Sequence, residues 1–282
     1  MKSIETVEPA DCHVHAVHLV TTIERVRHEL GRAGDPRPPV TASGASPREC
    51  WFAALAVHRR CARLDVEWGG DAATPLAHPP PVDQIRPGHV LQVIEAAATH
   101  LHGALRALGG NPTADPPARD KSRTPSDVLG TLVTAGRQLD RLLAAPLSPG
   151  DVYQQVAIAT AYAARLPGAP TLVVPALARG KAPADCYAEL SAALEATRAM
   201  STRAGHPVIA AAPAGGERGH VVPGDCFDLA TLVVGELAFL HALHNDDNPP
   251  APYEVPAVGR KLPAHVFQLA AALRVQLEQL AR

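Results

Sequence analysis

The sequence predicts an all-α fold: an eight-helix repeat bundle, two sets of four helices joined by a tight antiparallel hairpin, with long Pro-rich connections between the other helices. Three observations predict it. One helix-start pattern recurs eight times, apolar residues after each start return in alternating steps of four and three, and the composition is 46% hydrophobic but only 4% aromatic.

The start pattern is Pro, any residue, an acid or His, Cys or Val, then usually an aromatic residue or Leu. It reads Pro9-Ala10-Asp11-Cys12-His13, Pro47-Arg48-Glu49-Cys50-Trp51, Pro87-Gly88-His89-Val90-Leu91, Pro125-Ser126-Asp127-Val128-Leu129, Pro149-Gly150-Asp151-Val152-Tyr153, Pro183-Ala184-Asp185-Cys186-Tyr187, Pro223-Gly224-Asp225-Cys226-Phe227 and Pro263-Ala264-His265-Val266-Phe267. Proline at the first helical position sacrifices nothing, because that N–H has no partner inside a helix and the fixed φ already suits one. The acid two residues on meets free backbone N–H groups and the positive end of the helix dipole. Ser46 with Glu49 spells a full capping box, and Thr124 with Asp127 and Ser148 with Asp151 shorter versions.

Counted from the acid or His, apolar residues fall at offsets 1, 5, 8, 12 and 15, the spacing of a coiled-coil-like seam. The second helix gives Cys50, Ala54, Val57, Cys61 and Leu64; the third Val90, Ile94, Ala97, Leu101 and Ala104. The seventh gives Cys226, Ala230, Val233, Leu237 and Leu240, and the eighth Val266, Ala270, Leu273, Leu277 and Leu280. A strand alternates every second residue and does not produce this period. Gly31, Gly69 and Gly109 stand where helices end.

Successive start prolines are 38, 40, 38, 24, 34, 40 and 40 residues apart. Only the fourth and fifth helices are close enough for a tight reversal, through Leu143-Ala144-Ala145-Pro146-Leu147-Ser148, and these two should form the antiparallel hairpin. Elsewhere a helix of about 22 residues travels roughly 33 Å, while about 14 extended residues cover roughly 43 Å, enough to return the chain to its starting end. Asp35-Pro36-Arg37-Pro38-Pro39, His78-Pro79-Pro80-Pro81 and Asn248-Pro249-Pro250-Ala251-Pro252 have the stiffness for such straps. Helices 1 to 4 should therefore run mutually parallel, as should helices 5 to 8, the two sets opposing each other; an up-down bundle with floppy loops is the alternative. The expected division is repeats 1 to 4 in residues 1–146 and repeats 5 to 8 in residues 147–282, as two domains or one packed body. A competing grouping pairs copies 1, 2 and 3 with 6, 7 and 8, where Asp11-Cys12 meets Asp185-Cys186 and His89-Val90 meets His265-Val266.

The formal charge of -2 is spread without long runs, so no basic face for nucleic acid stands out. Arg, His, Glu or Pro interrupt the longest apolar stretches, and no membrane span is expected. Met1-Lys2-Ser3-Ile4-Glu5 leads almost directly into the first helix, which favours the cytoplasm; export remains the alternative if a signal peptide has been removed.

Five cysteines, an odd number, argue against a disulfide framework. Cys12, Cys50, Cys61, Cys186 and Cys226 all lie on the seam, where sister helices carry aliphatic residues, so the first expectation is buried packing. If the helices are parallel, Cys12 and Cys50 share a layer with His89 one step away, and Cys186, Cys226 and His265 repeat the set. Each set is a candidate soft-metal site or a thiol pair able to bridge. The pairs His15/His18 and His241/His244 have the i, i+3 spacing of helical ligands but are expected to be solvated, with only His244 at the end of the seam. Trp51, Tyr153, Tyr187, Phe227 and Phe267 each sit one residue past the seam, as an end plug or an interaction surface.

No P-loop, dinucleotide fingerprint, nucleophile elbow, zinc-protease motif or haem-attachment motif is present. Gly215-Gly216-Glu217-Arg218-Gly219 lacks the required context, and Asp246 with Asp247 reads as a helix terminator. The sequence therefore favours a non-catalytic helical-repeat scaffold that binds a protein or peptide, with no cofactor and with homo-oligomerisation open. The alternatives are a sensor-type bundle taking a small apolar ligand and, behind it, a metal- or redox-active bundle.

Overall fold

The computed structural model describes residues 4–70, 76, 79–111, 115–206, 221–244 and 259–282. Among them are eight α-helices: α1 (Pro9–Glu29), α2 (Pro47–Glu67), α3 (Pro87–Ala107), α4 (Pro125–Leu142), α5 (Pro149–Ala163), α6 (Pro183–Arg203), α7 (Pro223–His244) and α8 (Pro263–Leu280). Single 3₁₀ turns stand at Ile4–Thr6 and Val82–Gln84, and the described residues contain no strand.

Every helix opens on its proline, and the reason is visible at the third position. The backbone N–H of the residue before each proline donates to that side chain: Glu8 to Asp11, Ser46 to Glu49, Thr124 to Asp127, Ser148 to Asp151, Ala182 to Asp185 and Val222 to Asp225, at 2.6 to 3.0 Å. In α3 and α8 the acceptor is the Nδ1 of His89 and of His265, each at 3.0 Å. A donor that lacks a helical partner is thus satisfied at all eight starts. At the far ends, Gly31, Gly69 and Gly109 adopt φ of 60°, 86° and 82°, a left-handed conformation that glycine enters without steric cost.

The predicted seam is the core. Applied to all eight helices, the offsets select buried residues everywhere except Met200 and Leu280, each half-exposed at the end of its helix. His244, taken as the last member of the seam in α7, is exposed; His241 is buried in its place, with its ring edge-on to Tyr162 at 5.7 Å. The seam rotates past His244 because a straight helix of 3.6 residues per turn drifts from a seven-residue repeat.

Contacts divide the chain into two compact units, Met1–Pro146 and Leu147–Arg282. In the first, α1 and α2 each pack against both α3 and α4 and lie diagonally across the bundle from each other. Pro9, Pro47, Pro87 and Pro125 line one small apolar recess, so the four helix starts share an end. At the other end, Arg32 beyond α1 donates to the carbonyls of Arg141, Leu142 and Leu143 at the close of α4. The four helices therefore run parallel. In the second unit α5 and α6 each pack against α7 and α8. Starts again meet starts, Cys186 against Pro263 and Cys226 against Pro183, and the ends of α5 and α7 meet through Tyr162 and His241.

A parallel bundle needs connections that span its length. The segment after α1 runs back along α4: Asp35 N–H donates to Gln138 Oε1 at 3.0 Å, Val40 N–H to Thr134 Oγ1 at 3.3 Å and Ala45 N–H to Ser126 Oγ at 3.1 Å. Gly130 admits it, since a Cβ there would stand 2.4 Å from the Val40 carbonyl oxygen. After α5, Pro170 and Pro175 lie along α8, their carbonyls accepting from Gln276 Nε2 at 2.8 Å and Gln268 Nε2 at 2.6 Å. The Asp35–Pro39 strap is as expected. Asn248–Pro252, Gly215–Gly219, Asp246, Asp247 and His78 lie outside the described residues.

One expectation is corrected. Among the described helices α7 is long and apolar enough to cross a membrane, with mean hydropathy 1.6 over its 18-residue window. The polar residues that interrupt it, among them Glu236 and His241, are too few to lower that mean. Most of the window is buried inside the protein, as in a core helix, and Asp225, Asp228 and Glu236 are buried with it.

Candidate functional site

The helix starts bring several sequence-picked residues together. In the first unit Cys12 and Cys50 line the recess with Val90 and Val128. Each thiol donates to the carbonyl of a neighbouring start proline: Cys12 to Pro87 at 3.1 Å, Cys50 to Pro125 at 3.0 Å, Cys186 to Pro263 at 3.2 Å and Cys226 to Pro183 at 3.2 Å. All five cysteines are free and buried. Burial, with the adjacent Asp11, pushes the Cys12 thiol up to about 12; burial with Asp185 pushes Cys186 up to about 11. Cys61 rises to about 12 through burial, and Cys50 and Cys226 are raised from the same cause. These are protonated donors rather than thiolates.

The histidines of the two candidate metal sets face another way. His89 and His265 spend Nδ1 on the N–H groups of Arg86 and Leu262, so the acceptor nitrogen that a metal needs is engaged in capping. Among the described residues no group of three or more His, Cys, Asp or Glu side chains is placed to hold a metal ion. The aromatic set splits. Trp51 and Phe227 are buried, Trp51 edge-on to Phe52 at 5.0 Å, whereas Tyr153, Tyr187 and Phe267 are half-exposed. Lys261 and Lys181 stand over the rings of Tyr153 and Phe267 at 4.5 and 4.0 Å.

Three features lay outside the sequence reading. The first is a set of two histidine pairs between helices of the first unit. His100, buried on α3, shares a 2.8 Å hydrogen bond between Nδ1 and Asp65 Oδ2 of α2. His58 of α2 meets the His100 ring edge-on at 5.2 Å, and burial with His100 lowers its pKa to about 4. His18 of α1 faces His102 of α3 at 6.4 Å. The Nε2 atoms of all four rings are buried without a hydrogen-bond partner. Sequence spacing alone gave no hint, because the rings come from three helices.

The second is a groove of about 300 Å³ between α1, α4 and the strap. Its lining includes the apolar Val17, Val20, Pro39 and Val40 and the polar Thr131, Thr134, His13, Arg123 and Asp127. Arg123 is held by Asp120 and Asp127 at 3.1 and 3.2 Å, and burial followed by Arg123 lowers the pKa of His13. The third is an aliphatic ridge on the strap after α5, where Val173 is 75% exposed, Val174 50% and Leu177 44%. Exposed side chains of this kind, next to each other, carry a hydration cost that a binding partner removes.

The fold and these features define a class: among the described residues, an all-α protein of two four-helix units. Comparison of the chain with known protein families, with curated proteins and with solved structures gives no match.

Proposed function

We propose that the chain is a duplicated four-helix module acting as a non-catalytic protein-binding scaffold. The observation that carries the binding reading is the ridge of Val173, Val174 and Leu177. Its strap is tethered to α8 by Gln268 and Gln276 through backbone carbonyls, which leaves the aliphatic side chains turned outward. In the first unit the matching strap lies on Gly130 instead and tucks Val40 into the core. The difference is chemical: a glutamine side chain under the strap lifts it, and a glycine lets it settle.

Helix neighbours support duplication of four helices. Replacing α1, α2, α3 and α4 by α5, α6, α7 and α8 preserves each of the four packed pairs, whereas pairing copies 1, 2 and 3 with 6, 7 and 8 turns α2 with α3 into α7 with α8, which are not packed neighbours. The thiol bonds also follow one circular order, α1 to α3 and α2 to α4 in one unit, α7 to α6 and α6 to α8 in the other. Gln138 and Gln276, at the same step along α4 and α8, both hold the start of a strap. The six residues from Leu143 to Ser148 are the join between the two units.

A peptide library selected against the full chain tests the binding reading. Selected peptides are expected to lose at least about ten-fold in affinity against a Val173→Asp, Val174→Asp variant whose melting is unchanged. Failure to enrich any peptide, or equal binding to the variant, overturns it. The groove beside Val17 and Val40 favours a second reading, a small ligand with an apolar body and a polar end. Thermal shifts from a medium-chain fatty acid series, abolished by Val17→Arg, would support that reading over the first.

A further inference from the structure

We propose that the first unit carries an acid-triggered release of α3, in which charging the pairs His18–His102 and His58–His100 drives that helix away from both of its neighbours. The argument begins with placement. Among the described α-helices α3 packs chiefly against α1 and α2, and each of those two interfaces contains one histidine pair. All four Nε2 atoms are buried and unpartnered, so a proton added to any of them finds no protein acceptor in place. Two charged imidazoles then face each other across each interface, and like charges at that range in a low-dielectric setting repel strongly.

The charges facing the cluster do not offset this. From α2 comes one carboxylate, Asp65, already engaged with His100; Cys61 beside it is a neutral thiol, and Arg60 is turned to Asp140 of α4. From α1 comes His18, with His15 nearer the helix start and 4.0 Å from Glu95 of α3. On α3 itself Arg106 acts on His102 as a further positive charge. Near neutrality Asp65 balances one imidazolium at most. In acid, no carboxylate among the described residues is hydrogen-bonded to the buried Nε2 of the other rings.

The titration sign agrees with the geometry. Burial and His100 hold His58 neutral down to about 4, and burial, His18 and Arg106 lower His102. A histidine depressed in the fold stabilises it above the ordinary histidine range, and that contribution drains away as pH falls from about 6.5 toward the folded value. His58 and His102, one from each pair, act in the same direction on the same helix.

Hydrogen exchange of the full chain at about pH 7 and about pH 4, corrected for intrinsic rates, provides the test. Peptides covering α3 are expected to exchange at least about ten-fold faster in acid, while those covering α6, which contains no histidine, keep their protection. A His58→Gln, His102→Gln variant is expected to keep α3 protected in acid. Retained α3 protection in the wild type, opening of α6 in step with α3, or an unchanged acid response in the variant would each overturn the proposal. Should the variant not fold at neutral pH, imidazole resonances of the wild type decide: His58 and His102 titrating below free histidine sustain it, and ordinary values end it.

Discussion

The Asp65 carboxylate occupies the space where a side chain on Gly103 would begin: a Cβ at Gly103 would lie 2.4 Å from Asp65 Oδ1. Glycine inside a helix ordinarily costs about 1 kcal/mol relative to alanine. In α3 that cost makes room for the hydrogen bond between Asp65 and the buried His100.

Gly103→Ala is therefore expected to destabilise the protein by about 1–3 kcal/mol, the opposite sign to helix propensity, because Asp65 must move and leave His100 without its partner. Urea unfolding followed by circular dichroism gives the sign directly. A stabilised variant would mean the carboxylate shifts freely.

His89 accepts the Arg86 N–H through Nδ1, which requires a neutral ring with its proton on Nε2. Burial, then the Arg86 guanidinium, lower its pKa. This capping contribution is complete above the ordinary histidine range and is lost as pH falls through the lowered folded value. Replacing His89 with Asp restores the residue found at five sister starts. At pH near 5, His89→Asp should raise stability by about 0.5–1 kcal/mol, with a smaller gain near pH 8. Equal urea midpoints for the two proteins at both pH values would contradict this role.

The seam thiols should be unreactive. With Cys12 near 12 and all five cysteines buried, Ellman's reagent at pH near 8 is expected to modify none of them in native protein and all five after denaturation. Cys50→Val should change stability by less than about 1.5 kcal/mol, since Val90 and Val128 fill the same position in sister helices. Rapid native labelling of Cys12 or Cys50 would show that the helix-start end opens.

Gly130→Ala tests the first strap. Its Cβ would meet the Val40 backbone rather than a yielding side chain. Faster amide exchange over residues 35–45 is expected, together with a loss of about 1–3 kcal/mol. Unaltered exchange there would mean the strap has slack.

Much of this fold is legible in the residues themselves. Helix starts are written locally, in Pro9 with Asp11 or Pro47 with Glu49, and the seam follows because its period survives any arrangement of helices. Parallel packing also had a readable cause, the reach of the Asp35–Pro39 strap against the length of a helix. What stayed hidden depends on which helix meets which: His58 with His100, and His18 with His102, are pairs made by packing. For the same reason the aromatic set does not share one environment. Position past the seam is common to Trp51 and Tyr153, but Trp51 is buried whereas Tyr153 is half-exposed.

The diagonal placement of α1 and α2 sets the order in which this chain matures. Consecutive helices that touch can fold as a hairpin the moment both exist, yet α1 has no packed helical partner before α3. During synthesis its seam, from Cys12 to Val26, stays wet until residues near 107 have left the ribosome, and its ring closes only with α4. Assembly must therefore wait on distant contacts, which makes the unit a slow folder for an all-helical protein.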